Sequence, residues 1–172
     1  IIPLEGIERV RSVIVVNADS RFQEHKDLGG EIVALGQEGS ATGYYLPIYN
    51  LYGLALAEVR FAPTPQTSLE WLDRGEVAAV ALSLQEFNQY RKNFKHNRFR
   101  IINIDSHNIP SGAILIADKI DPEQKQKIQS VFSQAPSHIA ASAKFLPGEK
   151  FSQYEYEYLI KVIKRVLPIA ER

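Results

Sequence analysis

The sequence contains no cysteine, no methionine and a single tryptophan. Without cysteine there is no disulfide framework, no thiolate-bound zinc and no thiol nucleophile, and the redox compartment stays open. Methionine is missing even at position 1, so the chain is expected to be a processed or excised part of a longer product. No signal peptide is legible at its start. No apolar run approaches the roughly 20 residues that span a bilayer, which argues against direct membrane insertion. An excess of one charge is lacking too, because 20 Lys and Arg balance 20 Asp and Glu. A neutral chain has no general field for polyanions, so no nucleic-acid partner is expected. The densest basic run (Lys92, Lys95, Arg98 and Arg100, with His96 among them) falls between a helix and a strand, where a solvated connection accounts for it.

The chain does have enough apolar material for a core: 45% of 172 residues are hydrophobic and 23% charged, the balance of a soluble globular protein. Residues 11–17 (RSVIVVN) are a β-branched run of the kind that forms a strand buried on both faces. Residues 31–35, 57–61, 76–82 (EVAAVAL), 98–104 (RFRIINI) and 112–117 (GAILIA) also read as strands. A short helix closes at Asp27-Leu28-Gly29-Gly30, and residues 44–53 read as a helix ended by Gly53. Thr67-Ser68-Leu69-Glu70 has capping-box spacing, which predicts a helix from Thr67 to Gly75, and Ser83-Leu84-Gln85-Glu86 predicts another. Asp121-Pro122 marks a helix start by cap and by proline, and Pro136 opens a short alanine-rich helix. Ser152-Gln153-Tyr154-Glu155 opens a last helix with Tyr156, Leu159, Ile160, Ile163 and Leu167 on one apolar face.

Strand and helix therefore alternate before the chain turns mostly helical. That order predicts an α/β fold, with a mixed, mostly parallel sheet, helices on both faces and ligands at the carboxyl ends of the strands. The polar turn 105–111 (DSHNIPS) is expected to be a hinge or lobe crossover.

The segment Gln37-Glu38-Gly39-Ser40-Ala41-Thr42-Gly43 lies between a strand and a helix. Its glycines permit close backbone approach, the first-turn amides are unpaired, and the positive helix end favours an anion. Ser40 and Thr42 add neutral hydroxyl donors. The same hydroxyls can also cap their own helix, and the loop alone leaves both readings open. It is not a Walker loop and lacks the GxGxxG spacing. Of Tyr44 and Tyr45, adjacent on a helix, one is expected to face the cleft and the other the core. Trp71, with Leu69 and Leu72, is expected in the core. The four histidines, His25, His96, His107 and His138, are not at metal-ligand spacing, so neither metal nor cofactor is expected. Without a nucleophile elbow or paired carboxylates, no enzymatic chemistry is expected either.

In this order the segments resemble the phosphate, phosphite and phosphonate-binding proteins of ABC importers, members of the type 2 periplasmic binding fold. The resemblance runs through VIVVNADS at 13–20, then Asp27-Leu28-Gly29-Gly30-Glu31, similar to the family's aspartate-leucine-lysine-glycine-lysine segment. Gly39-Ser40-Ala41-Thr42-Gly43-Tyr44 with Pro47 resembles its glycine-serine-threonine-serine-glycine loop. Gly75-Glu76-Val77-Ala78-Ala79, Ile109-Pro110-Ser111-Gly112-Ala113 and the segment 151–158 resemble later family segments.

The resemblance implies a two-lobed solute receptor that captures a small oxyanion between its lobes and presents it to a membrane permease, in the periplasm or another extracytoplasmic space. Residues 20–105 would form one complete lobe. Residues 1–19 and 106–172 would supply hinge strands and the returning part of the second. The implied ligand-binding residues are Gly39, Ser40, Ala41, Thr42, Gly43 and Tyr44, with Gln66, Thr67 and His107 from neighbouring loops. The amides of Ala41, Thr42 and Gly43 would add helix-end donors.

Three substitutions depart from the pattern. Ala41 lacks a hydroxyl, Pro65-Gln66-Thr67 stands where phosphonate binders carry a serine-histidine pair, and Ser111 or Gly112 replaces an acidic residue. Together they argue against a plain aminoalkyl-phosphonate. The strand-helix-strand stretch that opens the family's chains has no match here; a membrane anchor, if the protein has one, would lie in such a preceding segment. An alternative with the same fold is the ligand-sensing input domain of a signalling or regulatory protein.

Overall fold

Along the run SVIVVN, alternation sends Val13 and Val15 into one hydrophobic cluster and Ile14 and Val16 into another, and all four are fully buried. A strand with both faces covered is the reason this stretch is continuously apolar. The computed structural model describes residues 2–3, 10–94, 98–107, 109, 113–114, 116–143 and 153–170. Its strands are β1 (Ile2–Pro3), β2 (Ser12–Asn17), β3 (Ile32–Leu35), β4 (Glu58–Phe61), β5 (Ala79–Ser83), β6 (Phe99–Ile104) and β7 (Ala113–Ile114). Its α-helices are α1 (Leu46–Asn50), α2 (Pro65–Asp73), α3 (Leu84–Tyr90), α4 (Pro122–Ser133), α5 (Ser137–Ala143) and α6 (Gln153–Ala170). The chain divides into two compact units, Val10–Asn108 with Tyr158–Arg172, and Ile1–Arg9 with Ile109–Glu157.

The first of these units holds a five-stranded sheet in the order β4-β3-β5-β2-β6. β3 runs parallel to β4 and to β5, whereas β2 is antiparallel to β5 and to β6. Four strands thus point one way and β2 runs against them, the mixed and mostly parallel sheet that the strand-helix alternation predicts. One face is packed by Leu69 and Leu72 of α2 and Phe87 of α3, with Trp71 partly buried beside them. The other is packed by Phe22, Leu28 and Leu51. In the remaining unit β1 pairs antiparallel with β7, and α4 starts where expected, with the Asp121 carboxylate accepting from the Gln124 amide at 3.0 Å.

Four expectations change. α2 begins at Pro65 with Thr64 as its N-cap, not at Thr67. Thr64 Oγ1 accepts the Thr67 amide at 3.0 Å, and proline at the first helical position has no amide to leave unpaired, so this start wins over the coincidental Thr67–Glu70 spacing. The helix expected over 44–53 starts earlier, as a π-helical turn over Ala41–Tyr45 that runs into α1. On α6 the buried positions are Val162 and Val166, at 1% and 0% exposure, while Ile160 and Leu167 are exposed; the packed stripe is rotated toward this i,i+4 pair. Tyr156 lies outside the described side chains, as do Ser152 and residues 110–112 and 115, so the strand expected over 112–117 is seen only as β7. The third capping box therefore cannot be followed into the structure. The basic run is partly structural: the Arg100 guanidinium donates to Gln23 Oε1 and to the carbonyls of Ser20 and Phe22.

The connection from β3 into the π-helical turn is held by a close backbone contact. The Gly36 amide donates to the Gly43 carbonyl at 2.7 Å. A Cβ at Gly43 would lie 3.1 Å from the Gly36 Cα, and one at Gly36 would lie 3.2 Å from the Gly43 Cα. Both distances are tighter than ordinary Cβ contacts, so a side chain at either residue would push the two backbones apart by a few tenths of an ångström.

Two outcomes follow from this packing. Gly43→Ala is expected to destabilise the protein by about 1–3 kcal/mol through overpacking, read as a lower urea midpoint with an unchanged m-value. Val166→Ala is expected to cost about 1–3 kcal/mol, and Ile160→Ala less than about 0.5 kcal/mol; equal effects would contradict the orientation of α6.

Candidate anion-binding site

Three strands that share one direction end side by side, and each feeds a helix. β3 leads through Gly36 to the turn at Ala41, β4 through Ala62 to α2, and β5 directly into α3. Between these ends lies a cleft of about 110 Å³, lined by Gly36, Gln37, Ser40, Gly43, Ala62, Pro63, Thr64, Pro65, Ser68, Ala81, Leu82 and Glu86. Helix starts present unpaired amides and the positive end of a macrodipole, so the geometry collects partial positive charge here without a cationic side chain.

The lip formed by residues 36–43 is rigid. Gly39 adopts φ 88°, a left-handed conformation that glycine tolerates, and the Ser40 amide then donates to the Gln37 carbonyl at 3.1 Å. Ser40 Oγ accepts the Gly43 amide at 3.1 Å. Its own hydroxyl proton remains available to an acceptor in the cleft, so capping and ligand binding are compatible. Ser12, at the start of β2, donates from Oγ to the Thr42 carbonyl at 2.6 Å and ties the turn to the centre of the sheet. The Tyr44 and Tyr45 amides both reach the Ser40 carbonyl, and the Leu46 amide reaches that of Ala41. Among the described residues the amides of Ala41 and Thr42 make no such bond, whereas that of Gly43 is consumed by the cap.

The second lip is the start of α2. Thr64 Oγ1 caps the helix and lies 2.8 Å from the Thr67 hydroxyl, and Gln37 Nε2 donates to the Pro63 carbonyl at 3.1 Å, linking the two lips. α2 closes at Gly75, φ 70°, where the Gly75 amide bonds the Leu72 carbonyl and the Glu76 amide that of Trp71. That double bond pattern terminates a helix only where a left-handed residue is available. The third lip is Ser83 and Glu86, which cap α3 reciprocally: Ser83 Oγ accepts the Glu86 amide at 3.1 Å, and Glu86 Oε2 accepts that of Ser83 at 2.8 Å.

The sequence-derived site residues are only partly brought together. Ser40 and Gly43 line the cleft, and Gly39, Ala41 and Thr42 belong to the same turn, with the Thr42 side chain buried. Tyr44 is the buried member of the tyrosine pair, 4% exposed, in edge contact with Tyr45 and 5.8 Å from the Phe61 ring. Burial pushes its phenol above the ordinary tyrosine value, helped by the Glu38 carboxylate and by Tyr45, so it stays protonated at neutral pH. Gln66 is exposed and gives its amide to Glu70 at 3.0 Å, and Thr67 serves the α2 cap. His107 is not part of the cleft lining. Its Nδ1 lies 2.9 Å from Oδ1 of the buried Asp105, and its ring stacks on Tyr158. Asp105 also accepts from Asn50 Nδ2 at 3.0 Å and donates its amide to the Ser12 carbonyl. Ser111 and Gly112 lie outside the described residues.

Thr64, Ser68 and Glu86 are cleft residues that the sequence pattern did not single out. Thr64-Pro65 was legible as a cap followed by proline, but only strand alignment shows that this cap meets the one at Ser40. Among the described residues no Lys or Arg lines the cleft, and one carboxylate, Glu86, does.

This arrangement has counterparts among known proteins. A Xanthomonas citri protein solved with bound ATP superposes with a TM-score of 0.76 at 21% identity, over 96% of this chain and 72% of that one. PhnD1 of Prochlorococcus marinus in complex with methylphosphonate gives 0.59 at 18% identity, over 96% and 71%. A binding-protein component of a Pseudomonas aeruginosa ABC phosphonate transporter gives 0.58 at 14% identity, over 99% and 73%. At these identities the likeness is one of fold. No curated protein sequence matches the chain. Residues 2–154 match the family described as ABC transporter, phosphonate, periplasmic substrate-binding protein. The chain therefore belongs to the phosphonate-binding family of periplasmic substrate-binding proteins of ABC transporters, a family of receptors rather than enzymes.

Proposed function

We propose that the cleft between Gly36, Thr64 and Glu86 captures the tetrahedral oxyanion of a small phosphonate, phosphate or phosphite. The observation that carries this reading is the convergence of three strand-to-helix junctions on one small cleft at the carboxyl ends of parallel strands. In this reading the Ser40 hydroxyl and the amides of Ala41 and Thr42 donate to the oxyanion, and Thr64 adds a hydroxyl from the facing lip. At about 110 Å³ the cleft suits an oxyanion with a short substituent and falls below the roughly 300–1,000 Å³ typical of pockets for drug-sized ligands. The unit that carries the cleft, Val10–Asn108 with Tyr158–Arg172, acts as one ligand-binding lobe, and Ile1–Arg9 with Ile109–Glu157 supplies part of a second.

Family membership supports a wider assignment of the same kind: the protein works in the periplasm or a comparable extracytoplasmic space and delivers its ligand to the permease of an ABC importer. Among the described residues no helix is long and apolar enough to cross a membrane.

Hydrogen bonds to a charged group contribute about 1.5–3 kcal/mol each. Four of them, less the cost of ordering ligand and loop, correspond to a dissociation constant on the order of micromolar. Calorimetry with methylphosphonate, phosphate, phosphite, sulfate and acetate is expected to show the phosphorus oxyanions binding in that range. Failure of all five to bind would sink the proposal. Ser40→Ala is expected to weaken the best ligand by about tenfold or more while costing only about 1 kcal/mol of stability as a lost cap. Gln66→Ala, whose amide is engaged by Glu70, is expected to change affinity by less than about twofold.

A further inference from the structure

On a different side of the same unit, α6 and the end of α1 border a groove of about 440 Å³. Its residues are Tyr49 from α1 and Tyr158, Lys161, Val162, Lys164 and Arg165 from α6. Val162 is 1% exposed and gives the groove an apolar base, and the two tyrosines add aromatic surface. The three cations stand at i, i+3 and i+4 on one helix, a spacing at which like charges repel. Among the described residues neither Lys161 nor Lys164 has an ion-pair partner, and the Arg165 guanidinium only approaches the Tyr49 hydroxyl, at 3.5 Å. Among the described residues no carboxylate lines the groove. In a chain without net charge, the groove concentrates three positive side chains on one helix.

Tyr158 is also held in place. Its ring lies parallel to that of His107, 11° between planes and 3.5 Å between centroids, and His107 is fixed by the buried Asp105 carboxylate. An aromatic surface immobilised beforehand loses little freedom when a planar ligand settles on it.

We propose that this groove is a second binding site, separate from the cleft, for an organic phosphate or comparable anion carried on a planar aromatic body. The anion neutralises Lys161, Lys164 and Arg165, and the ring packs on Tyr49 and Tyr158. The groove has the volume of a small-molecule site, and the proposal does not depend on what the cleft binds.

Phenyl phosphate is the probe, titrated calorimetrically into the protein and three variants. The Lys161→Gln/Arg165→Gln pair is expected to weaken binding by about tenfold or more. Tyr49→Leu is expected to weaken it by about threefold. Ser40→Ala, in the other site, is expected to leave it within about twofold. Raising salt from about 0.05 M to about 0.5 M weakens binding if the cations carry it. The substituted side chains in the charge pair are exposed, so folding is retained and circular dichroism verifies it. The proposal is overturned if phenyl phosphate does not bind, if the charge pair leaves its affinity unchanged, or if Ser40→Ala abolishes binding, which would place the probe in the cleft. Unchanged affinity in Tyr49→Leu would overturn the aromatic part.

Discussion

Where the chain leaves β3, the Gly36 amide bonds the Gly43 carbonyl across a gap in which an added Cβ on either residue would be crowded. That contact folds the connection back on itself and aims the following helical turn at the ends of β4 and β5. The Ser40 cap, the unpaired amides of Ala41 and Thr42 and the bond from Ser12 to the Thr42 carbonyl all depend on it.

The resulting cleft presents hydroxyls and backbone amides and, among the described residues, no cationic side chain. Neutral hydroxyls and backbone amides can match an oxyanion's lone pairs in direction, which a mobile lysine does less well. Helix-end dipoles supply the positive potential, and no counter-charge has to be desolvated when a ligand arrives. Glu86 is the exception: its carboxylate lines the cleft while accepting the Ser83 amide. The α1–α6 groove is built on the opposite plan, with full charges on long stems over an apolar base. Taken together, the two proposals give one unit two recognition chemistries, one directional and one coulombic.

Between them lies the exit of β6. Asp105 is buried yet fully engaged, taking the Asn50 amide on one oxygen and His107 on the other, while its own amide bonds the Ser12 carbonyl. A carboxylate at 5% exposure is tolerated only when its lone pairs are occupied in this way. It joins α1, the start of β2 and the residues after β6, and through His107 it reaches α6. The turn singled out in the sequence as a polar crossover thus begins at a bonded anchor.

Local patterns decided a good deal of this protein. The doubly buried β2 follows from SVIVVN, the α3 cap from Ser83 and Glu86, and the α4 start from Asp121 and Pro122; in each case partners lie within a few residues, so the chemistry is visible in one dimension. The helix-start amides and hydroxyls of residues 39–43 were legible for the same reason. Tertiary structure decided the rest, because it depends on pairs far apart in the chain. Sheet order placed Thr64 and Glu86 beside Ser40, which no spacing could show. Competition between two overlapping caps set the start of α2 at Thr64, and Val162 and Val166 rather than Ile160 and Leu167 became the packed stripe of α6. The crowding that favours glycine at both Gly36 and Gly43 exists only once their backbones meet. Composition and local spacing specified the elements and the kind of donor each offers; long-range pairing specified which donors share a cleft.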